Sequence, residues 1–186
     1  MDFTERDAAN LVWQILLAVH YIHEAGLIHR DLKMENIMVE MTSNGDGSSN
    51  IVCKVTDFGF ACVIEPGSNL SLTVGTPLYM APEIVKGQEY GQKVDIWSLG
   101  VIVYVMLTSQ FPYNARKKEL IYQKVASRKE HPSYTPLDRY YEDGRPAKDF
   151  IMRCLEKDPK KRWSSSQLLQ HEWLKTMVDE ANVSED

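Results

Sequence analysis

His29-Arg30-Asp31-Leu32-Lys33-Met34-Glu35-Asn36 is the stretch on which the reading of this chain turns. It sets an acid, an amine and an amide on one short loop, at Asp31, Lys33 and Asn36. Phosphoryl transfer asks for those groups near one point. A carboxylate receives the proton of an attacking hydroxyl, an ammonium meets the migrating group, and an amide oxygen helps to hold magnesium. Further on stands Asp57-Phe58-Gly59, which offers a second magnesium ligand. Alone that tripeptide is a weak signal. Placed after the octet, with an apolar run between, it is a strong one.

Outward from the octet, the chain reads as alternating local signals. On its N-terminal side Thr4 and Asp7 have the spacing of a capping box. Leu11, Ile15, Leu16, Val19 and Ile22 then recur at helical period, and Gly26 supplies a left-handed stop. Beyond the octet, Ile37–Val39 and Ile51–Val55 are predicted strands, joined by a Ser-, Asn- and Gly-rich surface turn over 42–50. Residues 60–78 are expected to be an irregular loop. Asp95 opens an apolar helix through Leu107, a charged helix covers 117–125, and 131–145 is a polar stretch. Helices near 147–155 and 165–177 follow, the second with a capping box at Ser164 and Gln167.

Bulk properties set limits. The 186 residues are 44% hydrophobic and 25% charged, ordinary for one soluble globular domain. A net charge of −5 argues against a nucleic-acid partner. The apolar run at 96–107 is shorter than the roughly 20 residues of a membrane span, so no membrane role is expected. Cys53, Cys62 and Cys154 are few, odd in number and without zinc spacing, as free thiols in a reducing compartment would be. With no visible signal peptide, the expected location is intracellular, cytoplasmic first, with the nucleus left open.

Five motifs in order now carry a resemblance: His29-Arg30-Asp31; Asp57-Phe58-Gly59; Gly75-Thr76-Pro77-Leu78-Tyr79-Met80-Ala81-Pro82-Glu83; Asp95-Ile96-Trp97-Ser98-Leu99-Gly100; and Asp158-Pro159-Lys160-Lys161-Arg162. The chain resembles the C-terminal lobe of a eukaryotic protein kinase, of the serine/threonine type. Within that family it is most similar to the calcium/calmodulin-dependent group. The resemblance implies an α+β fold, mainly α: a helical lobe with a short β-hairpin carrying the catalytic and metal-binding loops. Residues 1–175 would be the partial kinase domain, from about helix E to helix I, and 176–186 an acidic tail. ATP and Mg2+ are the implied cofactors, and a protein bearing Ser or Thr the implied substrate.

The resemblance also implies roles. Asp31 would orient and deprotonate the substrate hydroxyl, Lys33 would neutralise the transferring phosphate, and Thr76 would bridge the two. Asn36 and Asp57 would bind magnesium, with Met38 in the adenine floor. His29 and Phe58 would stack in a regulatory spine next to Gly59. Asp95 would hold the backbone of the catalytic loop, and Glu83 would pair with Arg162. Arg30 would receive an activation-loop phosphate. Leu72 stands where the phosphorylated threonine is usual, so Ser71 and Thr73 are the candidate modified residues. Pro77, Met80 and Glu35 would face a docked peptide.

Each residue has a plainer reading. Asp31, Lys33 and Asn36 are individually ordinary loop residues, and only their joint spacing outweighs that. Glu35 is equally an arginine-recognising carboxylate and a solvent-facing side chain. His20 and His23 are core or helix-face residues rather than metal ligands, because no further ligands are spaced to join them. Tyr79 and Trp97 are packing aromatics.

A Gly-rich loop, a strand lysine in a Val-Ala-Ile-Lys context and a glutamate-bearing regulatory helix do not occur in the sequence. The expectation is therefore a lobe without its N-terminal partner, inactive alone. It would be completed by a missing lobe or a kinase partner, or act as a non-catalytic binding module or decoy. The segment after Trp173 is too short for an autoinhibitory helix plus a calmodulin-binding segment, so calmodulin regulation is not expected.

Overall fold

In a computed structural model, residues 4–43, 49–65, 69–140 and 145–175 are described. Thr4 caps helix α1 (Glu5–Glu24) as the sequence predicts. Its hydroxyl accepts from the Asp7 N–H at 3.2 Å, and its own N–H donates to the Asp7 carboxylate at 2.8 Å. Together these satisfy two of the otherwise orphaned amides at a helix start. The helix buries Leu11, Ile15, Leu16, Val19 and Ile22, and Gly26 follows it at φ +73°.

Strand β1 (Leu27–Ile28) then leads into the octet and pairs antiparallel with β4 (Cys62–Val63). Strands β2 (Ile37–Ser43) and β3 (Ser49–Val55) form the expected hairpin, with Ile37 opposite Val55 and Val39 opposite Cys53. They run further than predicted. Pairing persists to Ser43 and Ser49, inside the segment read as a turn; residues 44–48 lie outside the described ones. A backbone ladder of neighbouring hydrogen bonds outweighs the weak strand preference of Ser and Asn there.

Among its described residues the long loop at 60–78 is irregular, apart from β4, a bridge between Leu70 and Tyr90 and the turn that ends it. It ends in a 3-10 turn over Pro77–Tyr79 and the short helix α2 (Pro82–Val85). Helix α3 (Lys93–Thr108) is buried on nearly every side, which is why its sequence is apolar all round rather than striped. It begins two residues before Asp95, so that carboxylate is not the helix opener the sequence suggested.

Helices α4 (Lys118–Ala126), α5 (Thr135–Tyr140) and α6 (Arg145–Cys154) complete the body. The polar stretch at 131–145 was not expected to hold a helix. It contains α5, anchored by fully buried Leu137. The last predicted helix is also broken. Helix α7 (Ser165–Leu168) keeps its Ser164–Gln167 capping box but stops after one turn. After it, His171 Nδ1 accepts the Trp173 N–H at 3.1 Å and so caps a new helical turn at 172–175. The predicted acidic tail lies outside the described residues.

The core runs between α1, α3 and α6, around fully buried Trp97, Phe150 and Trp173. Tyr79 and Trp97 are buried, as their packing reading requires. His23 is buried too, and His20 meets Ser165 Oγ at 3.1 Å. Among the described residues, no helix is long and apolar enough to cross a membrane.

Candidate active site

Burial of β1 and α3 places the octet on the body of the molecule. Buried Asp95, on α3, accepts the N–H of His29 at 2.9 Å and the N–H of Arg30 at 2.9 Å, one on each carboxylate oxygen. His23 reaches the same carboxylate at 2.9 Å. A charge in the protein interior needs such partners, and here they also set the backbone path of the loop. Arg30 takes φ +68° and Asp57 φ +60°. These are left-handed conformations that non-glycine residues rarely hold, and they collect at sites where structure over-determines the backbone.

Three of the predicted residues meet directly. Lys33 Nζ donates to Asp31 Oδ2 at 2.6 Å, Thr76 Oγ1 donates to Asp31 Oδ1 at 2.7 Å, and Lys33 Nζ donates to Thr76 Oγ1 at 3.2 Å. Gly75 makes the triangle possible. It sits at φ +109°, and a Cβ there would lie 2.6 Å from the carbonyl oxygen of Arg30. Only a residue without a side chain brings Thr76 so close to the octet.

Burial on its own would raise the Asp31 pKa. Hydrogen bonds from Lys33 and Thr76, with the charge of Lys33, outweigh it and hold the carboxyl below its usual range. The Asp31 hydrogen bond raises Lys33, and the charges of Asp31, Glu35 and Asp57 add to it. Asp57 thus lies within electrostatic range of the same ammonium although its backbone belongs to another segment.

Asn36 closes the arrangement. Its Nδ2 donates to the Asp31 carbonyl at 2.9 Å, which leaves its amide oxygen as the acceptor for a cation. The Asn36 carbonyl takes the N–H of Thr56 at 2.9 Å and its hydroxyl at 3.1 Å, tying the octet to the residue before Asp57. An amide oxygen and a carboxylate form an all-oxygen donor set, which suits Mg2+ better than a softer metal. Among the described residues no group of three or more His, Cys, Asp or Glu is placed to hold a metal unaided. These two groups fit a magnesium that draws its remaining ligands from water and phosphate, its usual habit.

The supporting residues divide. His29 and Phe58 have ring centroids 4.9 Å apart. The Asp31 N–H points at His29 Nδ1, 3.3 Å away, so the ring proton sits on Nε2, which meets the Thr56 carbonyl at 3.1 Å. Gly59 donates its N–H to Asp57 Oδ1 at 3.2 Å. Arg30 donates through Nε to the Phe60 carbonyl at 2.5 Å. Glu83 and Arg162 form a bidentate pair at 2.6 and 2.9 Å, both buried. Ser71 and Thr73 are exposed, on either side of exposed Leu72. Glu35 is exposed and Pro77 half-buried, whereas Met80 is buried, its sulfur accepting the Tyr122 hydroxyl at 3.4 Å. Met38 is exposed on the outer face of β2. Sequence reasoning gave Gln14 no role. Its one signal is a polar side chain on α1 between inward-facing Leu11 and Ile15.

The protein kinase domain family model matches residues 1–174, and the chain belongs to the protein kinase family. Within it, the chain resembles serine/threonine kinases of the calcium/calmodulin-dependent group. It is 41% identical over 175 residues to calcium/calmodulin-dependent protein kinase type 1B of Rattus norvegicus, covering 93% of this chain and 48% of that protein. It is 38% identical over 181 residues to a probable myosin light chain kinase of Dictyostelium discoideum, covering 93% and 42%. It is also 38% identical over 181 residues to calcium-dependent protein kinase 3 of Oryza sativa subsp. japonica, covering 97% and 31%. The chain thus spans less than half the length of these curated relatives.

Proposed function

We propose that the chain supplies the C-terminal lobe of an ATP- and magnesium-dependent protein serine/threonine kinase. The Asp31–Lys33–Thr76 triangle, with Asn36 and Asp57 facing it, carries the reading. Asp31 is held ionised. A substrate Ser or Thr hydroxyl arriving there would give its proton to the carboxylate as the hydroxyl oxygen bonds to the γ-phosphorus of ATP and the bond to the β-phosphate oxygen breaks, releasing ADP. Thr76 and Lys33 fix the orientation of the carboxylate, and Lys33 brings positive charge to the position where negative charge gathers. Asn36 and Asp57 would hold the metal, which when bound neutralises phosphate charge. Met38 would lie under the adenine, Arg30 would grip a phosphate added at Ser71 or Thr73, and exposed Glu35 would meet a basic residue of the peptide. The cytoplasm, where ATP and protein hydroxyls coexist, is the proposed location.

Neither a Gly-rich phosphate loop nor a strand lysine occurs among the 186 residues. Residues 1–186 alone are therefore expected to transfer no phosphate. The same chain preceded by a kinase N-terminal lobe is expected to label Ser or Thr of a protein substrate, and Asp31→Ala to abolish the labelling. Robust labelling by 1–186 alone would overturn the need for a second lobe, and phosphotyrosine as sole product would overturn the serine/threonine assignment.

A second reading is a non-catalytic kinase-like module that binds a partner. Its support is the apolar surface the fold leaves uncovered: Met38, Phe58 and Phe60 are each about half exposed. A cleft of about 560 Å³ also opens between α1, the hairpin and α3. A transcript with a stop codon directly upstream of Met1 would favour this reading over the first.

A further inference from the structure

We infer that Gln14 is a positioning residue for the two metal-facing side chains, Asn36 and Asp57; the inference rests on the kinase reading above for what those side chains do. The observation is a side chain standing where a strand would be expected. Among the described residues β3 has one strand partner, β2. Its other edge meets α1, and there the Gln14 amide closes it. Nε2 donates to the Ile51 carbonyl at 2.9 Å, and Oε1 accepts the Cys53 N–H at 2.8 Å. The second Nε2 proton goes to Asn10 Oδ1, 3.1 Å away and one turn earlier on the same helix. A primary amide offers a donor and an acceptor side by side, as a peptide unit does, so it pairs with groups two residues apart on a strand edge. The reversed amide would set N–H against N–H and oxygen against oxygen, so the chemistry of the contact fixes its orientation.

The tether matters because of what the hairpin carries. Asn36 immediately precedes β2, and Thr56 and Asp57 immediately follow β3. The two ends are joined by the Thr56 N–H and hydroxyl on the Asn36 carbonyl. The height of β3 against α1 therefore sets the height of both metal-facing groups against Asp31. The helix end of the tether is rigid, because Leu11 and Ile15 on either side of Gln14 are buried. The hairpin end is lightly held. Met38 and Val52 are exposed, so packing on its outer face does little to fix it, and on its inner face Ile37, Cys53 and Val55 are only partly buried against the core. Two directional bonds from one amide then add the register along α1 that this partial packing does not set.

Amide hydrogen exchange on 15N-labelled 1–186 tests this residue by residue. In Gln14→Ala, exchange at the Thr56 N–H is expected to quicken about tenfold relative to Ile102 in α3, the scale of losing one or two neutral hydrogen bonds. Gln14→Glu keeps the acceptor and loses the donor, and is expected to fall between; it carries the same comparison if the alanine variant folds poorly. Ile151→Val, a core change remote from the hairpin, is expected to leave the ratio of Thr56 to Ile102 unchanged. Faster exchange at Cys53 alone would make Gln14 a local edge cap and overturn the inference. Equal acceleration at Thr56 and Ile102 would make its effect global and overturn it as well. A Mn2+ titration separates this from the kinase reading. Paramagnetic broadening at the Asn36 side-chain and Asp57 backbone signals is expected in the wild type, at several-fold higher Mn2+ in Gln14→Ala. No broadening in the wild type, with the exchange result intact, would count against the metal assignment and leave the positioning role standing.

Discussion

Two carboxylate–cation pairs, Glu83–Arg162 and Asp31–Lys33, share a chemistry and differ in their surroundings. Arg162 is fully buried. Besides its two bonds to Glu83 it donates to the carbonyls of Glu156 and Lys93, each at 2.8 Å, and its guanidinium lies 5.2 Å from the centroid of the Trp97 ring. Four of its five N–H donors are spent inside the protein, and the residue is fully buried, so the pair offers nothing to a ligand. Asp31–Lys33 is a single contact shared with a hydroxyl, and the Lys33 side chain is 20% exposed. The charges of Glu35 and Asp57 also act on its ammonium. A buried pair ties the segment at 75–83 to the body. A part-exposed one is where a substrate can enter the network.

The contrast predicts opposite phenotypes. In the chain completed with an N-terminal lobe, Asp31→Asn is expected to lower phosphate transfer by roughly 10²–10⁴-fold, the usual weight of a general base. Its cost in urea denaturation should be at most about 1–2 kcal/mol, since Asn keeps an acceptor for Thr76. A variant that unfolds instead would place Asp31 with the structural pair. Arg162→Ala is expected to cost about 3–5 kcal/mol of stability by stranding a buried carboxylate, read from the same urea curves. A loss below about 1 kcal/mol would mean that the pair is not what holds this segment.

Gly100→Ala sharpens the comparison at the packing next to Arg162. The added Cβ would lie 2.5 Å from Cys154 Cβ on α6, and a cost of about 1–3 kcal/mol is expected by thermal melting. The smallest effect is a pH dependence. The folded pKa of Asp31 lies below its unfolded value, so its stabilising contribution is complete above about pH 4 and lost as pH falls through the folded pKa. The stability gap between wild type and Asp31→Asn should therefore narrow below about pH 4. A gap that widens there would reverse the sign of the assignment.

Legibility in the sequence followed the range of the interaction. The capping boxes at Thr4 and Ser164 were readable because both partners lie three residues apart. The hairpin was readable from its apolar strands, but not its length, because ladder bonds extended it through Ser and Asn. Helix α5 was missed because six residues are too few for helical periodicity to show. The new turn after His171 was missed because its cap depends on which way an imidazole turns. Asp95 was misread as a helix opener because the groups it satisfies belong to another segment.

What the sequence determined by itself was the family, the order of the motifs and the candidate reacting groups, since these depend on residue type and local spacing. The resemblance already implied that Thr76 bridges Asp31 and Lys33; only the tertiary structure supplied the glycine turn that brings it there and placed Gln14 on the edge of β3. Those contacts join residues 37 to 45 positions apart in the chain, and only the assembled fold creates them. No local pattern encodes a distance that the whole fold must close.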